Sequence, residues 1–545
     1  MTLFEQILTA RGLTTRAARQ AFLQPDYMAV KHDPFLLPDM KKAVARLKQA
    51  REQGEKIVIY GDYDIDGLSA TALLLDAFGK FGFEDVDAFI PNRFVEGYGM
   101  TMGAVDKVRD MGADLIVTVD TGSLCHAEIA YAASLGIDTV VTDHHNVAET
   151  PPPSVAAVNP KFPGHTYPFR DLCGAGVAFK LVQALQTELD ELPDGYEKWL
   201  LDLVALGTVC DIVTLADENR ANVYWGLEVL KKQQRPGLKA LMAVAGIEPE
   251  QVNARHLGFG LGPRMNAAGR LETAQHALDM LVAHDGLAAL EASEKLEELN
   301  VKRRGIQDAI FEEACVQAEQ LADDRVLVVS SDGWNHGVIG IVASKLVEKY
   351  KKPVFIIGER GEEATGSARS FGDFSAADAV RAADDIIIKG GGHGAAAGVT
   401  LATGKIGDFR RRVNEFYDSL QLTNQEQYLL PRADVEIDDF SEIDEELAAN
   451  LAKMEPFGNG NPEPVLKITR ASVLSMRRMG ADGQHVKLAL RDKNGKVLQM
   501  LAFNAPEEFF REPGDEVVAW FQPTVNEWQG VRTVEGRLLH ILLLD

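Results

Sequence analysis

The first half of the chain alternates between short apolar runs and amphipathic stretches. The runs IVIY, VDAFI, LIVTV and DTVVT have the length of strands buried on both faces, and helical patterns follow the first three. Strands that alternate with helices in this way are typical of a parallel sheet covered by helices. We therefore predict an α/β domain over residues 51–284, preceded by a helical lead-in over residues 1–50.

The second half begins with a long helical pattern over residues 285–323, where leucine and isoleucine recur at helical spacing. A second α/β unit is predicted over residues 324–425, from RVLVVS through PVFIIG. Residues 426–545 contain short strands such as HVKLALR and VLQMLAF, which predict a small β-barrel. The predicted fold class is α/β, with two α/β lobes joined by a long helix and followed by a barrel.

Length and composition fit several soluble domains. The chain has 545 residues, of which 46% are hydrophobic, so it can fill more than one core. No apolar run approaches the ~20 residues that cross a bilayer, and the start, MTLFEQILTARG, lacks a signal-peptide pattern. We expect a cytoplasmic protein without membrane contact. The four cysteines form no CxxC pair, which argues against a disulfide framework or a structural zinc site.

Taken alone, the net charge of −25 argues against nucleic-acid binding, because phosphate contacts need lysine and arginine. Net charge is a sum, however, whereas a binding groove is local. A polyanionic substrate would therefore require a defined channel lined by basic residues.

Acidic residues and histidines follow three of the predicted strands. The carboxyl ends of neighbouring parallel strands meet at one edge of a sheet, where ligands bind. One further acid ends an apolar helical stretch and could approach from the side. These residues are Asp62, Asp64 and Asp66 after IVIY, Asp120 after LIVTV, Asp143, His144 and His145 after DTVVT, and Asp211 in GTVCDIVTL.

Carboxylates and imidazoles together suit Mn²⁺ or Mg²⁺. There are more such groups than one ion needs, and two bridged ions are the usual device for hydrolysing phosphate esters. Taken alone, DxDxDG also resembles a calcium loop, and a lone histidine is more often structural than a ligand. Three strand ends in register favour the metal site.

The motifs GDYDIDG, VDTG, TDHHN and GTVCDIVTL resemble those of the DHH phosphoesterase superfamily, and GGGHGAAAG resembles the signature of its companion domain, DHHA1. The blocks IPNRFVEGYGM, GPRMNAAGRLET and GSARSF are similar to those of the RecJ single-strand exonucleases. The resemblance covers nearly the whole chain, and it implies that the C-terminal barrel is an oligonucleotide-binding (OB) fold. Ser123 stands where an apolar residue is commoner, and we expect no functional consequence.

The resemblance implies a site for two divalent cations, Mn²⁺ or Mg²⁺. Asp64 would hold one ion, with Asp62 bound directly or through water. His145 would face the scissile phosphate, and Asp143 would orient a ligating histidine. The remaining ligands divide into those of the second ion and a bridge between the two ions: Asp66, His144 and Asp211 for the second ion, and Asp120 for the bridge.

The resemblance also implies residues that bind the substrate. Some would contact phosphate through guanidinium, amide or hydroxyl groups, one would stack on a base, and the glycine-rich loop would let main-chain N–H groups approach a phosphate. Arg264 and Arg369, with Ser367, would grip the 5′-terminal phosphate, Arg93 would contact a phosphate, and Tyr98 would stack on a base. The loop residues are Gly391, Gly392 and His393, and Asn266 and His336 are further substrate contacts.

The implied function is a metal-dependent exonuclease that degrades single-stranded DNA from a 5′-phosphorylated end to 5′-mononucleotides. Recombination and repair would be its setting, a helicase and a single-strand-binding protein its partners, and a monomer its working form. One alternative is a phosphodiesterase for short oligoribonucleotides or cyclic dinucleotides, against which the long β-rich domain argues. A second alternative, a non-catalytic scaffold, is disfavoured because every expected metal ligand is present.

Overall fold

The computed structural model describes residues 1–97, 99–189, 191–528 and 530–544. Two compact units form. Unit 1 consists of Met1–Gly269, Thr273–Lys295 and Pro431–Asp545, and unit 2 consists of Arg270–Glu272 and Leu296–Leu430.

A five-stranded parallel sheet forms the centre of the first α/β domain. Its order is β2-β1-β3-β4-β5, and every pairing is parallel. β1 and β3 are buried along their whole length, which explains why they are apolar runs without alternation. The strands are β1 (Ile57–Gly61), β2 (Val86–Phe89), β3 (Leu115–Val119), β4 (Asp138–Thr142) and β5 (Ala156–Val158).

Unit 1 is otherwise mostly helical, and a single turn of π-helix, His256–Leu261, precedes α12. The helices are α1 (Leu3–Ala10), α2 (Arg16–Leu23), α3 (Tyr27–Val30), α4 (Met40–Gln53), α5 (Ile65–Lys80), α6 (Met102–Asp110), α7 (His126–Ser134), α8 (Gly174–Gln186), α9 (Leu201–Cys210), α10 (Asp217–Lys231), α11 (Pro236–Val244), α12 (Gly262–Leu271) and α13 (Gln275–Val282). The predicted long helix follows as α14 (Gly286–Gln320), with 35 residues.

Unit 2 contains a mixed sheet of order β6-β7-β8-β10-β9, in which only β6 and β7 pair in parallel. Apolar side chains fill both faces, with Phe355 and Phe409 in one core and Ile356 and Leu346 in the other. The elements are β6 (Leu327–Asp332), α15 (Ile339–Tyr350), β7 (Val354–Arg360), β8 (Glu363–Arg369), α16 (Ala376–Arg381), β9 (Ile387–His393), β10 (Ala396–Ala402) and α17 (Ile406–Ser419).

The C-terminal strands close into a barrel, as predicted. The ring runs β12-β13-β14-β16-β15 and returns to β12, with β14 and β16 parallel and the other pairs antiparallel. Five strands with this arrangement form an OB-type barrel. The elements are β11 (Val435–Ile437), α18 (Glu445–Ala452), β12 (Leu466–Met479), β13 (His485–Arg491), β14 (Val497–Ala502), β15 (Glu516–Trp528) and β16 (Val531–Leu543). The predicted fold class is therefore confirmed.

The first helix belongs to the core of the barrel rather than to the parallel-sheet domain. Leu3, Ile7 and Leu8 of α1 are buried in one cluster with the side chains that line the barrel. The Leu3 N–H donates to the carboxylate of Glu442 over 2.7 Å. The predicted lead-in over residues 1–50 is thus helical, but its first part completes the last domain.

Arg220 of α10 connects three parts of unit 1. Its guanidinium lies 3.8 Å from the centroid of the Phe22 ring and donates to the Phe22 carbonyl. It also donates to the carbonyls of Met454, Glu455 and Pro456, in the segment that leads into the barrel, over 2.9–3.2 Å. One buried cation therefore satisfies main-chain acceptors of the lead-in and of the barrel segment.

Among the described helices, none combines the length and the apolar character that a bilayer crossing requires. Cys125, Cys173, Cys210 and Cys315 are all free.

Arg220→Ala should destabilise unit 1, because it leaves buried carbonyl groups without a donor. The expected loss is about 3 kcal/mol of unfolding free energy, seen as a fall of several degrees in Tm. Thermal unfolding followed by circular dichroism measures this. Lys231→Ala, on the same helix but in an exposed pair with Glu228, is the control and should leave Tm unchanged. Equal Tm values for the two variants would contradict the anchoring role of Arg220.

Candidate metal centre

The strand-end acids meet at the carboxyl edge of the parallel sheet. β1, β3 and β4 are neighbours in the sheet, so Asp62, Asp120 and His144, which follow them, lie side by side. Asp211 comes from the C-terminal end of α9. The Nε2 atom of His144 lies 3.0 Å from Oδ1 of Asp120 and 3.5 Å from Oδ2 of Asp211.

Three groups of side chains each bring their ligand atoms within 4.8 Å of one another. Asp120 and His144 each belong to two of these groups, so the groups form one continuous cluster. The division of ligands that the sequence implies is compatible with this grouping and stays a prediction. The groups are Asp62, Asp64 and Asp120; Asp66, His144 and Asp211; and Asp120, His144 and His145.

Buried atoms of this cluster fit a cation-binding role. Within the described part of the chain, Asp62 Oδ1, Asp120 Oδ1 and His144 Nε2 are buried and have no hydrogen-bond partner. Buried polar atoms are nearly always satisfied. Oxygen and imidazole donors that converge without partners fit a divalent ion such as Mn²⁺ or Mg²⁺.

Main-chain N–H groups hold two of the acids in place. Asp64 is the N-cap of α5, and its Oδ1 accepts from the N–H groups of Asp66 and Gly67 over 2.9 and 3.1 Å. The carboxylate of Asp66 accepts from the N–H groups of Gly174 and Ala175, at the start of α8. Helix N-termini stabilise negative charge, so α5 and α8 offset part of the repulsion among the carboxylates.

Two glycines allow the helices to approach this cluster. A Cβ atom on Gly174 would lie 2.5 Å from Cβ of Asp120, and one on Gly207 would lie 2.4 Å from Oδ1 of Asp66. Both distances are too short for any side chain. The backbones of α8 and α9 therefore pack directly against the acids.

Asp143 contacts a different histidine from the one expected. Its Oδ1 accepts from Nδ1 of His145 over 2.9 Å, whereas its contact with His144, the expected ligand, is to the main-chain N–H over 2.7 Å. The geometry follows from the turn after β4, which directs the His145 ring back over the Asp143 carboxylate. Asp143 thus orients His145, the residue expected to face the scissile phosphate.

Two residues that the sequence analysis did not select support this pair. Asn159, which follows β5, donates from Nδ2 to the His145 carbonyl over 3.0 Å and to Ser123 Oγ over 2.8 Å. The Ser123 N–H donates to Oδ2 of Asp143 over 2.9 Å. Ser123 therefore belongs to the support of the site. In the sequence, only the presence of Ser123 where an apolar residue is commoner could have indicated this supporting role. Nothing in the sequence indicated a role for Asn159.

Burial and the repulsion between neighbouring carboxylates raise the pKa values of several acids in the cluster. Burial and the charge of Asp64 raise the pKa of Asp62 to about 7, and burial and the charge of Asp66 raise the pKa of Asp211 to about 8. Burial, followed by neighbouring carboxylates, also raises the pKa values of Asp66 and Asp120. Without a cation, part of the site holds protons near neutral pH.

The pKa values of the two histidines shift in opposite directions. Burial and the charge of His145 lower the pKa of His144 to about 4, so its ring is neutral, as a metal ligand must be. Burial alone would lower the pKa of His145, but the hydrogen bond to Asp143 raises it to about 9. The same pairing outweighs the effect of burial on Asp143 and lowers its pKa. Near neutral pH, this pairing favours the protonated form of the His145 ring.

Three of the predicted substrate contacts of unit 1 lie beside the motif that carries the acids. The Arg93 guanidinium lies 4.4 Å from the centroid of the Tyr63 ring, within GDYDIDG. Arg264 and Asn266 belong to α12, whose first residue packs against Ile65 of the same motif. Tyr98 lies outside the described residues.

The glycine-rich segment of unit 2 is an edge strand, not a loop. Gly391, Gly392 and His393 belong to β9, which pairs with β10 at the edge of the sheet. The prediction of a loop was wrong because glycine disfavours strands only weakly when a partner strand supplies regular hydrogen bonds. An edge strand keeps main-chain N–H groups outside the ladder, so contact with an anion stays compatible with the segment.

The register gathers the other predicted residues of unit 2 on one face. Arg369 pairs with Ala396, which pairs with His393. Two residues away, Ser367 pairs with Gly398, which pairs with Gly391. Residues two apart share a face of a sheet. Because Gly391 and Gly398 have no side chains, the surface of the sheet beside Ser367, Arg369 and His393 is open.

Helix α15 begins beside this face, and a Cβ on its Gly340 would lie 3.0 Å from Ser367 Oγ and 3.4 Å from Arg369 Nη2. Burial lowers the pKa of Arg369. His336, before α15, lies against Gly358 of β7, and burial followed by the charge of Arg360 lowers its pKa.

The raised carboxyl pKa values predict how metal binding depends on pH. Between about pH 4 and pH 8 the folded protein retains protons that the unfolded chain loses, so the metal-free protein loses stability as pH rises. A divalent cation replaces those protons. The increase in Tm caused by Mn²⁺ should therefore be larger at about pH 8 than at about pH 5.5. Thermal unfolding with chelator and with Mn²⁺ at both pH values measures it.

Asp211→Asn removes one titrating ligand and should reduce the increase in Tm at the higher pH. Asp279→Asn, on the exposed face of α13, is the control and should behave like the unsubstituted protein. The same increase at both pH values in the unsubstituted protein would contradict this account of the site.

Three family models match the chain. They are the DHH family N-terminal domain over residues 56–208, the DHHA1 domain over residues 323–419 and the RecJ OB domain over residues 433–540. The first match contains the strand-end acids, and the second contains the sheet of unit 2 from β6 to β10.

Two curated relatives are similar over most of the chain. The single-stranded-DNA-specific exonuclease RecJ of Bacillus subtilis is 39% identical over 96% of the chain, which spans 66% of that protein. The protein of the same name from Salmonella typhimurium is 35% identical over 92% of the chain, which spans 89% of that protein.

A crystal structure of RecJ in complex with Mn²⁺ from Thermus thermophilus matches with a TM-score of 0.83 and 30% identity. The match covers 99% of the present chain and 76% of the chain in that crystal structure. The Mg²⁺ complex of RecJ from the same organism matches with a TM-score of 0.77. The domains, the relatives and the fold agree. The chain therefore belongs to the RecJ family, whose named members are single-stranded-DNA-specific exonucleases.

Proposed function

We propose that the chain is a metal-dependent exonuclease that degrades single-stranded DNA in the 5′→3′ direction and releases 5′-mononucleotides. The observation that carries the proposal is the position of Asp120, which belongs to two of the three groups of ligand atoms and whose buried Oδ1 lies 3.0 Å from Nε2 of His144. A carboxylate that bridges two ions is typical of phosphodiester hydrolysis.

Asp62 and Asp64 would hold one ion, Asp66, His144 and Asp211 would hold the other, and Asp120 would serve both. When bound, Mn²⁺ or Mg²⁺ would lower the pKa of a water molecule, which makes it a better nucleophile, and would neutralise charge on the scissile phosphate. Support for these two metals comes from the relative of known structure, which was crystallised with each.

His145 contributes a fixed positive charge. Because Asp143 holds its Nδ1, the ring of His145 keeps one orientation beside the position proposed for the phosphate. Asn159 and Ser123 fix the main chain of this pair. A charge held in place before the reaction stabilises a transition state more than one that must reorganise.

Residues of both units contact the DNA strand. Arg93, held over the Tyr63 ring, binds a backbone phosphate, and Tyr98 stacks on a base. Arg264 and Asn266 are further contacts from α12. In unit 2 the shared face binds the 5′-terminal phosphate through the following groups: Ser367, Arg369, the main chain of Gly391 and Gly392, and His393, with His336 nearby.

Recombination and repair in the cytoplasm are the setting, with a helicase to supply the single strand and a single-strand-binding protein to accompany it. The proposed working form is a monomer, since a site built from the residues of one chain needs no second subunit. The names of the relatives support the DNA substrate.

The decisive experiment is a time course on a 3′-labelled single strand with a 5′-phosphate, in Mn²⁺, beside a duplex and a dinucleotide. We expect the strand to shorten from its 5′ end and the duplex to be spared. Asp120→Asn should lower the rate at least ~100-fold, because it removes the bridging carboxylate. Asp110→Asn, on the surface of α6, is the control. An intact strand beside a cleaved dinucleotide would instead indicate a small-nucleotide phosphodiesterase.

Arg369→Gln tests the site for the terminal phosphate. A guanidinium binds phosphate through paired, charge-assisted hydrogen bonds, so the preference for 5′-phosphorylated over 5′-hydroxyl strands should fall by about tenfold. The ratio of the two kcat/KM values measures it. Arg381→Gln, in an exposed pair on α16, should leave the ratio unchanged. If Arg369→Gln also kept the original ratio, the role of Arg369 would be wrong.

A further inference from the structure

The residue after Asp211 has an unusual backbone conformation. Ile212 has a φ of +59°, in the left-handed region that β-branched residues avoid because Cβ crowds the main chain. Its side chain is 69% exposed, so burial in a core does not explain the conformation. Strained residues of this kind cluster at functional sites.

Neighbouring segments impose this conformation. Asn459, in the segment that leads into the barrel, donates from Nδ2 to the Ile212 carbonyl over 2.7 Å. The Asn459 carbonyl accepts from the Leu215 N–H over 2.8 Å, and Asp171 accepts from the Thr214 N–H over 3.0 Å. The loop after α9 is thereby fixed at both of its ends.

Ile212 forms part of the wall of a cavity of about 560 Å³ within unit 1. The cavity adjoins the metal centre, because its walls include Ile65, between Asp64 and Asp66, and Cys210, before Asp211. Phe259 also lines the cavity and is 78% exposed. Phe259 belongs to the π-helical turn, and such turns are frequent at functional sites.

Polar groups around the cavity favour a neutral ligand. Asn253, Asn266 and Asn459 offer amide donors and acceptors. Glu455 and Glu463 also line the cavity, and two carboxylates would repel a phosphate. Burial, followed by the charge of Glu463, raises the pKa of Glu455. Apolar walls with amides at the rim match the faces and edges of a nucleobase.

A cation lies beside the apolar wall. The Arg255 guanidinium is 5.6 Å from the centroid of the Phe259 ring, and Arg255 also lines the cavity. A base against Phe259 would place its own phosphate within reach of the positive charge of Arg255. This arrangement favours a nucleotide of a strand over an apolar peptide segment, which would carry no charge to match Arg255.

We propose that this cavity binds one nucleobase of the single strand whose scissile phosphate lies at the metal centre, with Ile212 and Phe259 as its apolar walls. The inference rests on the proposed function and adds a base subsite to it. Every base has apolar faces, so the subsite requires a base without selecting its identity. The strained backbone of Ile212 serves to present the side chain to this base.

The test uses 5′-phosphorylated strands of equal length, each with an abasic site at one position along the first several nucleotides. The unsubstituted protein should show a KM raised by about tenfold at one position of the series. Ile212→Gly and Phe259→Ala should raise KM for the intact strand by a similar factor and remove the dependence on position.

Melting temperature separates this role from a structural one. Ile212→Gly removes an exposed side chain and a strained backbone, so its Tm should equal or exceed that of the unsubstituted protein while KM rises. Gln233→Gly, at another residue with positive φ (52°), is the matched control, with a similar change in Tm and an unchanged profile. Leu287→Ala, at a 68% exposed side chain, is the control for Phe259→Ala.

Each remaining outcome decides a different point. Cleavage with a flat abasic profile in the unsubstituted protein would overturn the inference alone and leave an apolar protein segment as the occupant. A retained profile in Ile212→Gly and Phe259→Ala would also overturn it. Absence of any single-strand cleavage would overturn the proposed function and this inference with it.

Discussion

Mutual repulsion among the carboxylates at the edge of the parallel sheet is the constraint on which much of unit 1 depends. Fixed dipoles oppose it: Asp64 caps α5, and Asp66 receives two N–H groups from α8. Gly174 and Gly207 are necessary because only a bare backbone comes close enough. What remains uncompensated appears as raised carboxyl pKa values, and a divalent cation is the natural counter-charge.

The same constraint explains the two histidines. Burial lowers the pKa of His144, which suits a metal ligand, whereas the hydrogen bond to Asp143 outweighs burial and raises the pKa of His145. The two adjacent histidines thus differ because the ring of only one of them, His145, is hydrogen-bonded to Asp143. Ser123 and Asn159 complete the support, which extends the site from β4 to the neighbouring end of β5.

Much of this was predictable, and the limits have physical causes. Apolar runs followed by acids identify parallel strands and a shared edge, since chain direction fixes which ends meet. A sequence does not reveal which histidine turns toward Asp143, because that depends on the turn after β4. Nor does it reveal that GGGH forms an edge strand or that Ile212 adopts a positive φ. Both conformations are imposed by partners distant in sequence, β10 in one case and Asn459 in the other.

The place of α1 in the barrel core affects how the chain folds. The contact between Leu3 and Glu442 spans 439 residues, so α1 is synthesised long before the residues against which it packs. Its apolar face, with Leu3, Ile7 and Leu8, stays without its final partner throughout. Contacts of such long range form late and slowly. Barrel closure is therefore a late event in biogenesis, and a barrel expressed without the first ten residues would begin with an open seam in its core.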